Sequence, residues 1–239
     1  MSEPVMSPKL TAPSMQALSP GRLARMAHAG DQVRAAAQAL SRGGLNVVGE
    51  CLRGQGTFYE MEHYPGGDVY DSQTGAQYYY HHHREMAEHG HFHLFVRPPL
   101  ATAGAEPRFD VDSPPTHLIA ISMDDYGAPL GLFATNRWVT DEKLLPATEL
   151  PALIDRFSVE HANPNWAVNR WLTGMLALFQ PQVLALLAHR DQVLAEQAAG
   201  RTAAEVQEDR HIEVTGEMPI DVDAQIETIE TLLQASAER

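Results

Sequence analysis

Between residues 57 and 140, proline and glycine pairs cut the chain into short runs rich in aromatic and β-branched residues. "TFYEMEHY" (57–64) stops at Pro65-Gly66-Gly67 and "HFHLFVR" (91–97) at Pro98-Pro99, while "THLIAISM" (116–123) and "PLGLFATNRWVT" (129–140) flank "DDYGA". Runs of that length between such breakers read as strands. The short turn makes the last two an antiparallel hairpin, and residues 101–115, rich in Pro, Ala and Gly, form a loop. The flanks have a different grammar. Ser19 caps and Pro20 opens an alanine-rich helix over 19–42 that Gly43-Gly44 stops. Asn163-Pro164 opens a heavily apolar helix with Trp166 and Trp171 in its core, Pro181 starts or kinks another, and Gly200 ends it. Residues 221–236 place Ile226, Ile229, Leu232 and Leu233 at helical spacing, as ordinary packing or, in the sharper alternative, as a homodimer contact. The expected class is α+β: a small, mainly antiparallel sheet covered by helices from the N- and C-terminal parts. Residues 1–18 read as a flexible arm and 19–239 as a single α+β domain, with the sheet and a histidine cluster in 57–140 and a helical part in 147–239.

Charge and cysteine content narrow the function. A formal net charge of -14 repels phosphate backbones and anionic lipid, so nucleic acid and membrane are excluded as partners. With one cysteine, Cys51, a single chain builds neither a disulfide nor a cysteine-ligated zinc or iron–sulfur site. Cys51 itself follows an apolar run and reads as a small core residue. No run of about 18 apolar residues and no secretory signal appear, which makes the cytoplasm the expected location.

The informative stretch is "YYYHHHREMAEHGHFH" (78–93), where six of the 12 histidines lie. Thr74 with Gln77 forms a possible capping box, which predicts a helix from there to Gly90. On that phase Ala76, Tyr79, Tyr80, His83 and Met86 share the inward face, and His81 points away. His81→Ala is then expected to leave a metal site intact. The strand at 91–97 alternates, with His91, His93, Phe95 and Arg97 on one face and Phe92, Leu94 and Val96 on the other. His63 on the strand at 57–64 and His117, aligned with Ile119 and Ile121, can join the first face.

Imidazole is the commonest protein ligand of zinc, copper and non-haem iron, and His-x-His on a strand offers two nitrogens to one ion. His91 and His93 are the primary candidates. His63, His83 and His117 compete to complete the set, and Asp68 or Asp71 in "GGDVYD" can add a carboxylate. Arg97 and Arg137 are candidates to bind an anionic small-molecule substrate, with Tyr80 as a further substrate contact. Two plainer readings stand beside these: histidines satisfied by carbonyls, and arginines in ordinary ion pairs. Crowded imidazoles can also act as a pH sensor. Glu60-x-x-His63 and Glu88-x-x-His91 match the di-iron bundle spacing, yet one lies in an apparent strand and the other straddles Gly90. His-Glu-x-x-His, a P-loop, Gly-x-Gly-x-x-Gly and Gly-x-Ser-x-Gly do not occur.

The segments "HYPGGDVYD", "YYYHHHRE", "GHFHLFVR", "THLIAISMD" and "LFATNRWVT" resemble a family of uncharacterised bacterial proteins grouped as a domain of unknown function, from about residue 20 to the C-terminus. The resemblance implies a bacterial source and brings no activity with it. The residues themselves point to a metal-dependent oxidoreductase or oxygenase using iron or copper ahead of zinc. A non-catalytic metal or haem carrier or sensor is the alternative.

Overall fold

A computed structural model of the chain describes residues 8–84, 88–100 and 108–237. Residues 1–7 of the expected arm, 85–87 of the expected helix and 101–107 of the expected loop lie outside the described residues. The described residues form six strands, β1 (Tyr64–Tyr70), β2 (Ala76–His81), β3 (Gly90–Val96), β4 (Thr116–Met123), β5 (Pro129–Thr135) and β6 (Val214–Pro219). They form one open sheet in the order β1-β2-β3-β4-β5-β6, antiparallel throughout. Helices from both ends of the chain cover it, and the fold is α+β as its segments predict.

One face of the sheet is the core face. Tyr78, Tyr80, Phe92, Leu94, Ile119, Ile121, Leu132 and Met218 are buried there. Helix α5 (Trp166–Leu178) meets that face directly. Its Asn169 accepts a hydrogen bond from the Tyr78 hydroxyl at 2.6 Å, and its Trp171 ring lies 6.3 Å from Phe92. Helix α6 (Gln180–Gln197) packs along β4, β5 and β6. The N-terminal helix α1 (Pro20–Arg42) crosses α5, and the C-terminal helix α8 (Val222–Ala237) packs on α1. Ile226 and Ile229 of α8 are buried within the chain, as ordinary packing requires. Ser19 caps α1 and Pro20 opens it, as the sequence implies.

Three elements differ from the sequence reading. Residues 57–63 are not a strand; the strand begins at Tyr64, where the proline and glycines were expected to end one. A Pro65 there is tolerated because β1 is an edge strand with an interrupted register between Tyr64 and Val69. The described residues of 74–90 are not helical. Asp71 Oδ1 accepts from the amides of Gln73 and Thr74, and Gly75 turns the chain at φ +77°, so "DSQTG" is the loop of the β1–β2 hairpin. The Thr74 hydroxyl donates to the Ser158 carbonyl at 2.5 Å instead of capping a helix. The aromatic run that follows then takes the conformation its side chains favour. Finally, the expected strand at 129–140 ends at Thr135. Asn136 caps the short helix α3 (Arg137–Thr140).

Smaller corrections follow from packing. Asn165, two residues beyond the expected cap, accepts from Ala167 and Val168 and starts α5. Trp171 is buried as expected, whereas Trp166 is 50% exposed with the Arg170 guanidinium over its ring. Cys51 is fully buried, and burial pushes its thiol up to about 12, consistent with an inert core residue. Of the arm, Pro8 and Leu10 exchange backbone hydrogen bonds with Glu217, adding a short parallel bridge to β6.

Gly90 starts the strand that carries the histidine pair. A Cβ there would lie 2.6 Å from the Tyr80 hydroxyl and 2.7 Å from the His81 carbonyl oxygen. Gly90→Ala is expected to destabilise the fold by about 1–3 kcal/mol, read as a lower denaturation midpoint at unchanged slope.

Candidate metal centre

The face of the sheet opposite the α5 contacts carries the histidines. Directly paired residues of an antiparallel sheet share a face. The register His81↔His91 and Tyr79↔His93 therefore sets β2 and β3 side by side with their imidazoles together. His83 follows from the end of β2. One ligand atom each from His81, His83, His91 and His93 lies within 4.8 Å of the others. The Nε2 atoms of His81 and His91 are 2.8 Å apart, and those of His91 and His93 are 3.0 Å apart. In a tetrahedral site with metal–nitrogen bonds of about 2.0–2.1 Å, neighbouring nitrogens sit about 3.3 Å apart. An ion would need to spread these rings by only a few tenths of an ångström.

The far nitrogens of His91 and His93 are held as ligand histidines require, whereas that of His81 is buried without a hydrogen-bond partner among the described residues. Glu88 takes the Nδ1–H of His91, and its other oxygen accepts from the Ser122 hydroxyl. Burial pushes the Glu88 carboxyl up, but the bonds from His91 and Ser122 and the nearby Arg84 outweigh it, leaving its pKa below the usual value. An ionised Glu88 only accepts, so His91 keeps its proton on Nδ1 and turns a bare Nε2 lone pair to the cluster. His93 Nδ1 meets His117 Nε2 at 2.9 Å, and His117 Nδ1 meets the Thr135 hydroxyl at 3.3 Å.

Every ring of the group is held neutral. Burial, then His91 and His83, bring His81 down to about 2. Burial also lowers His83, His91 and His93, and it brings His117 to about 3 with help from Arg190. Neutral imidazoles present lone pairs without first losing a proton. Removing the Glu88 charge tests the outer support. Glu88→Gln is expected to weaken metal affinity about 10–100-fold, measured by competition with a chelating dye.

A family model described as a domain of unknown function (DUF6969) matches residues 27–220. The chain belongs to that family. No curated protein and no solved structure matches it. The matched span holds all four clustered histidines, Glu88 and His117. It leaves out α8 and about the first two turns of α1, so it is shorter at both ends than the segment resemblance implies.

Of the seven residues proposed from sequence as ligands, the structure brings His83, His91 and His93 together. His117 stands behind His93, as a partner of its far nitrogen. A register shift between Leu94 and Phe95 pairs His117 with Phe95 but Ile119 with Leu94, so His117 lies on the histidine face and Ile119 on the core face. Simple alternation had aligned them. His63 lies at the rim, stacked on Tyr79 at 3.6 Å with its Nδ1 on Asp68 at 3.0 Å. Asp68 is further engaged by Gln77 at 2.6 Å, and Asp71 is spent on the hairpin loop and on the Glu160 amide.

The three proposed substrate contacts are also occupied. Arg97 bonds Gln77 and the carbonyls of Ser113 and Val111, tying down the loop before β4. Arg137 pairs with Glu208 and Asp141. The Tyr80 ring is on the core face, and its hydroxyl bonds His89 at 2.7 Å. Two residues of the site lie outside the sequence-based set. The helical phase turns His81 to the wrong side. Glu88 matches the di-iron spacing in sequence, yet Glu88-x-x-His91 is the spacing that lets it hold His91.

Proposed function

We propose that this chain is a metal-dependent enzyme, an oxidoreductase or oxygenase, whose ion is held by His81, His83, His91 and His93. The convergence of four neutral imidazoles within 4.8 Å carries the reading. An all-imidazole set suits copper, iron, zinc and nickel. Tyr79 argues for a redox ion. Its ring lies 5.1 Å from His81 and 5.2 Å from His93, and burial raises its pKa, so it stands as a neutral phenol beside the centre. Iron or copper is therefore placed ahead of zinc, supplying electron transfer or oxygen chemistry when bound. His91 and His93 are fully buried and anchor the site, while the His83 side chain keeps 16% exposure and is the point where it meets the outside. The substrate is a small molecule, and a cytoplasmic location belongs to the same proposal. No single described helix is long and apolar enough to cross a membrane.

The burial of His81, His91 and His93 favours one second reading, a non-catalytic carrier or sensor, because a closed four-nitrogen set leaves no open position. The edge-to-face rings, 4.6–5.0 Å between centroids, suit an ion better than a porphyrin plate. The test is elemental analysis with electron paramagnetic resonance on protein purified without a nickel column, followed by oxygen uptake with a reductant. About one equivalent of iron or copper with oxygen consumption supports the enzyme. Stoichiometric metal without turnover supports the carrier, and a Soret band supports haem. No metal, with a melting temperature unmoved by chelator, sinks all three.

A further inference from the structure

The four imidazoles of the centre are not held alike. His81 sits in β2 and His91 and His93 in β3, on paired strands whose hydrogen-bonded ladder fixes their backbones. Their Nε2 atoms make one contact set, with His81 at 2.8 Å and His93 at 3.0 Å from the central His91. Glu88 holds the far side of His91 and His117 that of His93, while the rings of Tyr79 and His63 wall in His81 at 5.1 Å and 5.5 Å. His83 lies two residues past the end of β2. Its ring meets those of His81 and His91 edge-on at 4.9 Å and 5.0 Å. Its Nδ1 stands 3.5 Å from Glu213, too long for a hydrogen bond, and among the described residues the side chain makes none. We propose that His83 is the exchangeable ligand of the centre. The three strand-held imidazoles keep the ion, and the position that His83 vacates admits a ligand of a few atoms, dioxygen in the redox reading. The proposal rests on the metal reading above and names the point at which substrate reaches the ion.

Access follows the same division. His91 and His93 have no exposed surface and His81 almost none, so of the four only His83 opens to solvent. When it leaves, one ion–nitrogen bond breaks and one ion–ligand bond forms, with no electron moved. The freed ring has Glu213 beside it, a part-exposed carboxylate residue whose backbone carbonyl accepts from the Asn136 amide. The vacated space is that of one imidazole among buried rings, which limits the incoming ligand to a few atoms. Three protein ligands with one exchangeable position are the arrangement of a catalytic ion, whereas four fixed ligands make a structural site. Exchange at His83 reconciles a closed resting set with turnover.

Azide is the probe, titrated into the Cu²⁺-loaded chain. Its charge-transfer absorption reads binding, and pulsed electron paramagnetic resonance counts the imidazoles coupled to copper. The loaded chain is expected to show four coupled imidazoles by itself and three with azide. His83→Ala should still take up about one equivalent of Cu²⁺ and bind azide about tenfold or more tightly, since no ring has to leave first. Free imidazole should restore the four-imidazole signal to His83→Ala. Four results each overturn the assignment while leaving a metal site in place: copper lost with His83→Ala as completely as with His91→Ala, no azide band in the wild-type chain, equal azide affinity in the two chains, or four imidazoles still coupled in the azide complex. A wild-type chain that takes up no copper overturns the metal reading, and this assignment with it.

Discussion

Alanine at position 81 is expected to abolish stoichiometric metal binding as completely as alanine at 91 or 93. The three Nε2 atoms form one contact set, at 2.8 Å and 3.0 Å from the central His91. Removing any one leaves fewer nitrogens around the same point, and a chelating site loses affinity steeply with each ligand. The helical phase predicted the reverse for His81, so this variant separates the two geometries directly. His63→Ala is the control. Its ring stacks on Tyr79 and its nitrogen is engaged by Asp68, so metal content should stay near wild type. Inductively coupled plasma analysis of the purified variants reads the result. Metal retained by His81→Ala, with circular dichroism unchanged, would sink the four-histidine assignment.

Acid is expected to unfold the metal-free chain earlier than its carboxylates alone would allow. His81, His83, His91, His93 and His117 all bind a proton less readily folded than unfolded, first because they are buried. The stability they confer is full above about pH 6.5, the ordinary histidine value, and is lost as pH falls towards the folded values. Those values are about 2 for His81 and about 3 for His117, so the window extends through the whole acid range. Each such group costs about 1.4 kcal/mol per pH unit between its unfolded and its folded value. Glu142 works the other way. Burial raises its carboxyl to about 7, so the folded state gains from its protonation as pH falls from 7 towards the ordinary carboxylate value of 4.5. That offsets about one histidine of the five. The remainder makes stability fall steadily as pH drops from about 6.5 to about 4.5, against a typical domain stability of about 5–15 kcal/mol. Urea midpoints taken in chelator from pH 8 to pH 4.5 check this. A flat profile down to pH 5 would mean the imidazoles are not held neutral.

Much of the architecture was legible because it depends on local chemistry. Ser19, Pro20 and Gly43-Gly44 bound α1 through their own backbone preferences. "DDYGA" joins β4 and β5, and "HFHLFV" alternates to put His91 and His93 on one face and Phe92 and Leu94 on the other. Element β6 escaped notice because "VTGEMP" is short and carries a glycine and a proline. It is a strand because β5 offers it a partner.

The site divides along the same line. His91 and His93 could be chosen from sequence alone, since a period of two is a property of a single strand. His81 could not, because "YYYHHH" has no period that separates a strand from a helix, and the false capping box at Thr74 tipped the balance. Its place beside His91 is a fact of cross-strand register, settled by the Asp71–Gly75 loop of one hairpin and the β2–β3 pairing of the next. The position of His117 depends on a register shift in yet another strand pair. Which histidines share a strand face is a property of one segment and its period of two. Which strands meet, and in what register, is set by the packed fold, because register is a relation between segments distant in the chain and neither segment encodes it alone.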